Sequence, residues 1–248
     1  MRFTTLVNRE YHKWHSPALG REMELLVFGS GGQRLLVFPS RKARFYEYED
    51  HGMVHSVRKP LEEGKLQLVC VDGIDEESLY CFDITPEQRI ERHLQYERYI
   101  LEEVLPFSAK KNPRTPLTAH GCSLGAYHAV TIAMRHPRHF QRALAFSGRF
   151  DLTLHTAHYH SLFHGFYSDA LRDIVPSHFV PGLEDRRHLN AIRKVRFTFV
   201  IGDEDPFYEN NVELCRAMTA KKIDHELHEW CGEAHRFRYW RQMIRIYL

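Results

Sequence analysis

The sequence predicts an α/β fold: a mostly parallel sheet with helices on both faces and one short inserted segment. Three observations predict it. Short apolar runs alternate with longer helical patterns, the signature of a sheet covered on both sides. One of those runs ends in a glycine-flanked serine, Ser123, and passes directly into a helical pattern. Two later runs end in an acidic loop and in a glycine turn followed by a histidine. The chain has 248 residues, a length compatible with a single domain spanning 1–248 and ample to bury a core.

Residues 23–28 read as a strand, followed by the turn Ser30-Gly31-Gly32-Gln33 and a second strand over 34–38. Together they resemble an antiparallel hairpin. A polar loop follows Pro39, then a helix over about 52–63 and a buried strand over 66–71. Thr85 before Pro86 is a helix-start pattern, and that helix is expected to run through Arg98 to Val104, stopping before Pro106. Residues 116–121 form the next strand, 125–136 the helix after Ser123, and 142–146 the following strand. Residues 151–186 break the alternation and are rich in His, Tyr and Phe, which reads as a lid-like insertion. The strand 197–201, a helix over about 210–221, the strand 226–230 and a helix from near His235 complete the chain.

Composition excludes several classes. The formal charge is only +2 and no basic stripe is present, so nucleic acid is not the expected partner. The longest apolar runs are too short to span a bilayer, and residues 1–10 lack the apolar core of an export signal. Five cysteines without a CxxC pair read as free thiols in a reducing cytoplasm. The oligomeric state is not legible.

Gly121-Cys122-Ser123-Leu124-Gly125 is a G-x-S-x-G elbow, which exposes its serine on a sharp strand-to-helix turn in the α/β-hydrolase fold. The chain order expected in that fold is serine, acid, histidine. Asp205 follows the strand ending at Ile201 with G-x-x-D spacing and is preferred to Asp203 as the orienting acid. His235 follows the last strand and is the expected general base. A serine needs a neutral imidazole to take its proton, and a carboxylate to fix that imidazole's tautomer. The oxyanion would be met by the N–H of Leu124 and by one from the loop after Pro39, either Ser40 or Arg41. Tyr159, Phe163, Phe166 and Tyr167 of the insertion are the expected substrate-pocket walls.

The sequence resembles the putative-esterase (esterase D-like) family of α/β hydrolases over nearly its whole length. The matching blocks include Val37-Phe38-Pro39-Ser40, Arg44-Phe45-Tyr46-Glu47-Tyr48-Glu49-Asp50, Cys122-Ser123-Leu124-Gly125-Ala126-Tyr127-His128 and Asp205-Pro206-Phe207-Tyr208-Glu209-Asn210-Asn211. After Ser40 this chain reads Arg41-Lys42-Ala43 where relatives usually carry glycine, and the stretch 163–167 diverges. The resemblance implies hydrolysis of a small carboxylic ester with no metal or organic cofactor. The same triad serves an acyltransferase, and a binding protein can retain the same fold. His155, His158, His160 and His164 lack the spacing of a metal site and read as lid or surface residues. Cys122 reads as packed beneath the elbow, and His128 as packed or hydrogen-bonded rather than catalytic.

Overall fold

The computed structural model describes residues 7–113 and 116–248, so residues 1–6 of the N-terminal stretch read above lie outside the described residues. In chain order the elements are β1 (Arg9–Ser16), β2 (Arg21–Phe28), β3 (Gln33–Phe38), α1 (Glu47–Asp50), α2 (Met53–Ser56), α3 (Arg58–Glu62), β4 (Leu66–Val71) and α4 (Pro86–Tyr99). A π-helical turn (Ile100–Val104), α5 (Leu105–Lys111), β5 (Leu117–Cys122), α6 (Leu124–Arg135) and β6 (Arg142–Phe146) follow. Then come α7 (Asp169–Ile174), α8 (Pro176–Phe179), α9 (Arg186–Ile192), β7 (Arg196–Gly202), α10 (Tyr208–Ala220), β8 (His225–Trp230) and α11 (Phe237–Tyr247). The eight strands form one sheet in the order β1-β2-β4-β3-β5-β6-β7-β8. The β1–β2 and β2–β4 pairs are antiparallel, and every pair from β4 to β8 is parallel.

The strand alternation sorts side chains onto two faces. Val27, Leu36, Val69 and Ala119 pack with α4, α6 and α10 on one face. Leu26, Leu35, Leu68 and Cys70 pack with Trp240, Met243 and Ile244 of α11 on the other. Six consecutive buried residues in β4 and six in β5 are what a strand covered on both faces requires. A third cluster joins Leu152, Leu162, Phe163 and Leu171 of the inserted segment to Leu124 and Tyr127 of α6. The insertion is thereby anchored to the helix that follows Ser123.

Three expectations are corrected, and one strand is added. The strands at 23–28 and 34–38 exist but form no hairpin, because β4 lies between them. The link runs across the start of β4: a Cβ on Gly29 would sit 2.4 Å from the Leu66 carbonyl oxygen, and one on Gly32 would sit 2.0 Å from the Lys65 carbonyl carbon. Both glycines have φ near +80°, at +79° and +78°, so the glycines serve a crossing rather than a tight reversal. Strand β1 was missed, because its inward side chains include His12, Trp14 and Ser16 and show no apolar alternation. They are satisfied by polar partners instead: Trp14 Nε1 and Ser16 Oγ each donate to Glu103 at 2.7 Å.

The expected helix over 52–63 is two short helices, broken at Val57 (φ −115°, ψ 22°). Pro60 would clash with the Ser56 carbonyl in a continuous helix and offers it no N–H. The helix begun at Thr85 is capped as expected, with Thr85 and Gln88 exchanging side chain to backbone hydrogen bonds. It does not stop at Pro106. The π-helical turn widens the coil so that Pro106 enters near the start of α5, where a missing N–H does least harm.

Tight backbone approach fixes the centre of the sheet. A Cβ on Gly125 would lie 2.4 Å from the Phe38 carbonyl oxygen and 2.7 Å from that of Pro39. Gly125→Ala is therefore expected to cost about 3 kcal/mol, read as a lower denaturation midpoint. An unchanged midpoint would refute the close packing of α6 on β3.

Candidate active site

Ser123 stands between β5 and α6 with φ 56° and ψ −120°, a conformation rarely taken by a residue with a Cβ. Its N–H donates to the Phe146 carbonyl at 2.8 Å, and its side chain makes no helix cap, so the hydroxyl is turned outward. His235 Nε2 accepts from Ser123 Oγ at 3.0 Å, and His235 Nδ1 donates to Asp205 Oδ2 at 2.8 Å. Asp205 is buried, and its other oxygen accepts the Phe207 N–H at 3.0 Å. The three residues sit at the carboxyl ends of β5, β7 and β8, where the Ser, Asp, His order of the sequence placed them.

His235 precedes α11 rather than starting it: the helix begins at Phe237. The imidazole lies in a loop shaped by Gly232 and Ala234, with φ +80° and +48°. Trp240 meets the ring edge-on at 5.4 Å, and Phe207 lies 5.9 Å away on a tilted plane. Asp203 has a separate task. Its Oδ1 accepts the Gly232 N–H at 2.7 Å, joining the acid loop to the histidine loop.

The loop after β3 is held by two carboxylates. Glu47 accepts both the N–H of Ser40, at 2.8 Å, and the Ser40 hydroxyl. Asp75 accepts the Lys42 N–H at 2.9 Å, and the Ala43 N–H returns to the Ser40 carbonyl at 3.1 Å. Lys42 takes φ +59° within that turn. Ser40 is thus removed as an oxyanion donor, since its N–H is already committed to Glu47. Arg41 is the residue of this turn whose N–H takes no partner among the described residues, and it faces the same cavity as Ser123 and Leu124. Burial pushes the Glu47 carboxyl above its usual range, against the pull of the two Ser40 donors.

Ser123 opens into a cavity of about 330 Å³. Of the four aromatics expected to wall it, only Tyr159 does so, its ring tilted against Phe207 at 4.6 Å between centroids. Phe163 is buried in the cluster that anchors the insertion, with Arg89 over its ring at 4.5 Å. Phe166 packs on that cluster, and Tyr167 is 61% exposed beside His178. These three are corrected from pocket to anchor or surface, because an inserted segment must first bury a core of its own. The walls that were missed are Tyr80, Arg149, Phe207, Phe237 and Trp240. Arg149 lies just past the end of β6, as Asp205 lies just past β7, so the strand-end rule that found the acid also pointed to it.

Cys122 is buried beneath the elbow, where burial drives its thiol well above the usual range. His128 hydrogen-bonds Asp75 at 3.3 Å and does not touch Ser123. His155 and His160 contact each other at 4.8 Å, and no group of three or more His, Cys, Asp or Glu among the described residues could hold a metal ion. No described helix is long and apolar enough to cross a membrane.

Two buried histidines away from the triad make the fold acid-sensitive. Burial lowers His93 to about 3, helped by the nearby His128, and lowers His120 to about 4. Both are depressed in the folded state, so below about pH 6.5 the unfolded chain binds more protons. Stability present above that pH is lost as pH falls towards the folded values. Glu97 adds to the loss lower down: burial would raise it, but His136 and Arg135 hold it at about 2. Thermal melts are expected to show a falling midpoint from pH 7 to 5, with a flatter slope in a His93→Asn, His120→Asn variant. A constant midpoint across that range would contradict neutral burial.

A serine on a sharp strand-to-helix turn after β5, joined through a histidine after β8 to a buried aspartate after β7, is the arrangement of an α/β hydrolase of the serine type. The family model described as "Putative esterase" matches residues 47–246, and the chain belongs to that family. It is a carboxylic ester hydrolase. Among solved structures it is similar to a ferulic acid esterase, with 16% identity and a TM-score of 0.74 over 98% of this chain and 96% of the other. It is similar to an S-formylglutathione hydrolase from Staphylococcus aureus, with 16% identity and a TM-score of 0.68 over 98% and 97% of the two chains. A third, the S-formylglutathione hydrolase from Agrobacterium tumefaciens, shares 18% identity with a TM-score of 0.74 over 97% and 92%. No curated protein gives a significant match by sequence.

Proposed function

We propose that the protein hydrolyses small carboxylic esters through an acyl-enzyme on Ser123, with His235 as general base and Asp205 as its orienting acid. The observation that carries this reading is the continuous Ser123–His235–Asp205 hydrogen-bond chain, at 3.0 and 2.8 Å, opening into the cavity. Ser123 Oγ attacks the ester carbonyl as its proton passes to His235 Nε2. The imidazolium formed is stabilised by Asp205 and returns the proton to the leaving alcohol. Water then repeats the sequence on the acyl-enzyme. The N–H of Leu124, at the first position of α6, and the N–H of Arg41 are the donors proposed for the oxyanion. Intact-mass analysis after fluorophosphonate treatment tests the assignment: one adduct is expected, located on Ser123, and no adduct would reject it.

Residues 151–186 are proposed as the lid of a single domain, reaching the cavity through Tyr159. A cavity of about 330 Å³ suits short acyl groups. 4-Nitrophenyl esters from acetate to butyrate are expected to show higher kcat/KM than esters beyond about C8. Otherwise each buried CH₂ would add about 0.8 kcal/mol of binding. A rate that climbs steadily to C12 would rule out the closed pocket. The described cysteines are all free, which supports placing the enzyme in the cytoplasm.

A further inference from the structure

The cavity carries charge of one sign. Arg41, Arg149 and Arg236 line it around Tyr80, and no aspartate or glutamate does. Arg236 has a carboxylate partner, Glu233, at 3.9 Å. The other two form no ion pair among the described residues.

Arg149 is 3% exposed. Its Nε donates to the Asp151 carbonyl at 3.2 Å, and its Nη2 donates to the carbonyls of Leu154 and His160 at 2.9 and 2.8 Å, with a longer contact to Leu152 at 3.4 Å. These acceptors satisfy N–H groups but bring no negative charge. The nearby Asp151 carboxylate is engaged elsewhere, by Thr153 at 2.6 and 2.7 Å and by His178 at 3.4 Å. Burial accordingly pulls the guanidinium below its usual range, while arginine remains charged at any working pH. The guanidinium also lies 5.6 Å from the centre of the Phe207 ring, beside His235. Arg41 lies over the Tyr80 ring at 5.8 Å, and both arginines approach the Tyr80 hydroxyl.

A buried cation met by carbonyls and a hydroxyl but by no carboxylate within ion-pair distance is costly, and an arriving anion offsets that cost with charge-assisted hydrogen bonds. We propose that Arg41 and Arg149, bracketing Tyr80, form an anion subsite, and that the preferred ester carries a carboxylate or comparable oxyanion held there while its carbonyl meets Ser123. This inference rests on the serine-esterase reading and names the substrate class for that site. The planar guanidinium forks match a carboxylate, and the Tyr80 hydroxyl supplies one further donor.

The test compares kcat/KM within two matched pairs. 4-Nitrophenyl hemisuccinate against 4-nitrophenyl butyrate places the charge on the acyl side. 4-Acetoxybenzoate against its methyl ester places it on the alcohol side. A preference of about tenfold or more for the anion is expected in one pair, and that pair tells which side of the ester bears the charge. The preference should shrink as salt is raised. Because Arg149 also holds residues 151–160, Arg41→Gln is the variant least dependent on folding, and it should lower the anion-to-neutral ratio several-fold. Neutral esters turned over with both ratios at or below one, or a ratio untouched by Arg41→Gln, would overturn the subsite and leave the esterase reading standing. Absence of both turnover and fluorophosphonate labelling would instead remove the esterase reading, and the subsite with it.

Discussion

Ser123→Ala is expected to lower kcat/KM for 4-nitrophenyl acetate by about 10⁴-fold or more. The covalent route ends with the hydroxyl, and what remains is binding plus the oxyanion donors. The fold should persist, because among the described residues Ser123 Oγ hydrogen-bonds only His235. Relief of the strained backbone does not follow, since alanine also bears a Cβ and keeps φ near 56°. Equal melting curves beside abolished turnover are the expected pair of results. Native turnover by the variant would move the chemistry away from the elbow altogether.

The two aspartates after β7 are expected to separate sharply. Asp205→Asn should cost about 10³- to 10⁴-fold in kcat, because an amide that donates to Nδ1 selects the wrong imidazole tautomer. Asp203→Asn should stay within a few-fold. Its carboxylate touches only the Gly232 N–H, at an exposed position, and an amide oxygen can accept the same bond. Steady-state kinetics on the two variants decides the point: the reverse ranking would transfer the acid's role to Asp203.

The grouping of the candidate triad was more legible in the sequence than the topology. Ser123, Asp205 and His235 were visible because each follows an apolar strand in a fixed order, and the hydrogen bonds at 3.0 and 2.8 Å join those same residues. The false hairpin arose because Gly29–Gly32 looks the same whether the chain reverses or crosses a neighbouring strand. Only the backbone of Lys65 and Leu66 beneath those glycines distinguishes the cases. Strand β1 was illegible because polar Glu103, from a distant helical turn, does the work an apolar face would do. The lid aromatics were misassigned for a related reason. Composition marks Phe163 as apolar but does not say whether it faces a cavity or the cluster around Tyr127. Ser40 and Arg41 are equal candidates in the sequence, and only the bond from the Ser40 N–H to Glu47, a residue seven positions on, separates them.

The passage of the β2–β3 link across the start of β4 bears on how the chain folds. The pair β2–β3, neighbours in sequence, cannot zip up as a local hairpin: β2 can pair early only with β1, and β3 must wait for β4 or β5 before it has a partner. The parallel pairing of β3 with β5 then closes a loop of more than 80 residues, from Arg34 to Leu117. The contact between Ser123 and His235 spans 112 residues. Such non-local closures favour slow refolding. Ester turnover therefore reports on completion of the whole sheet, and in a refolding time course it returns after the secondary structure does.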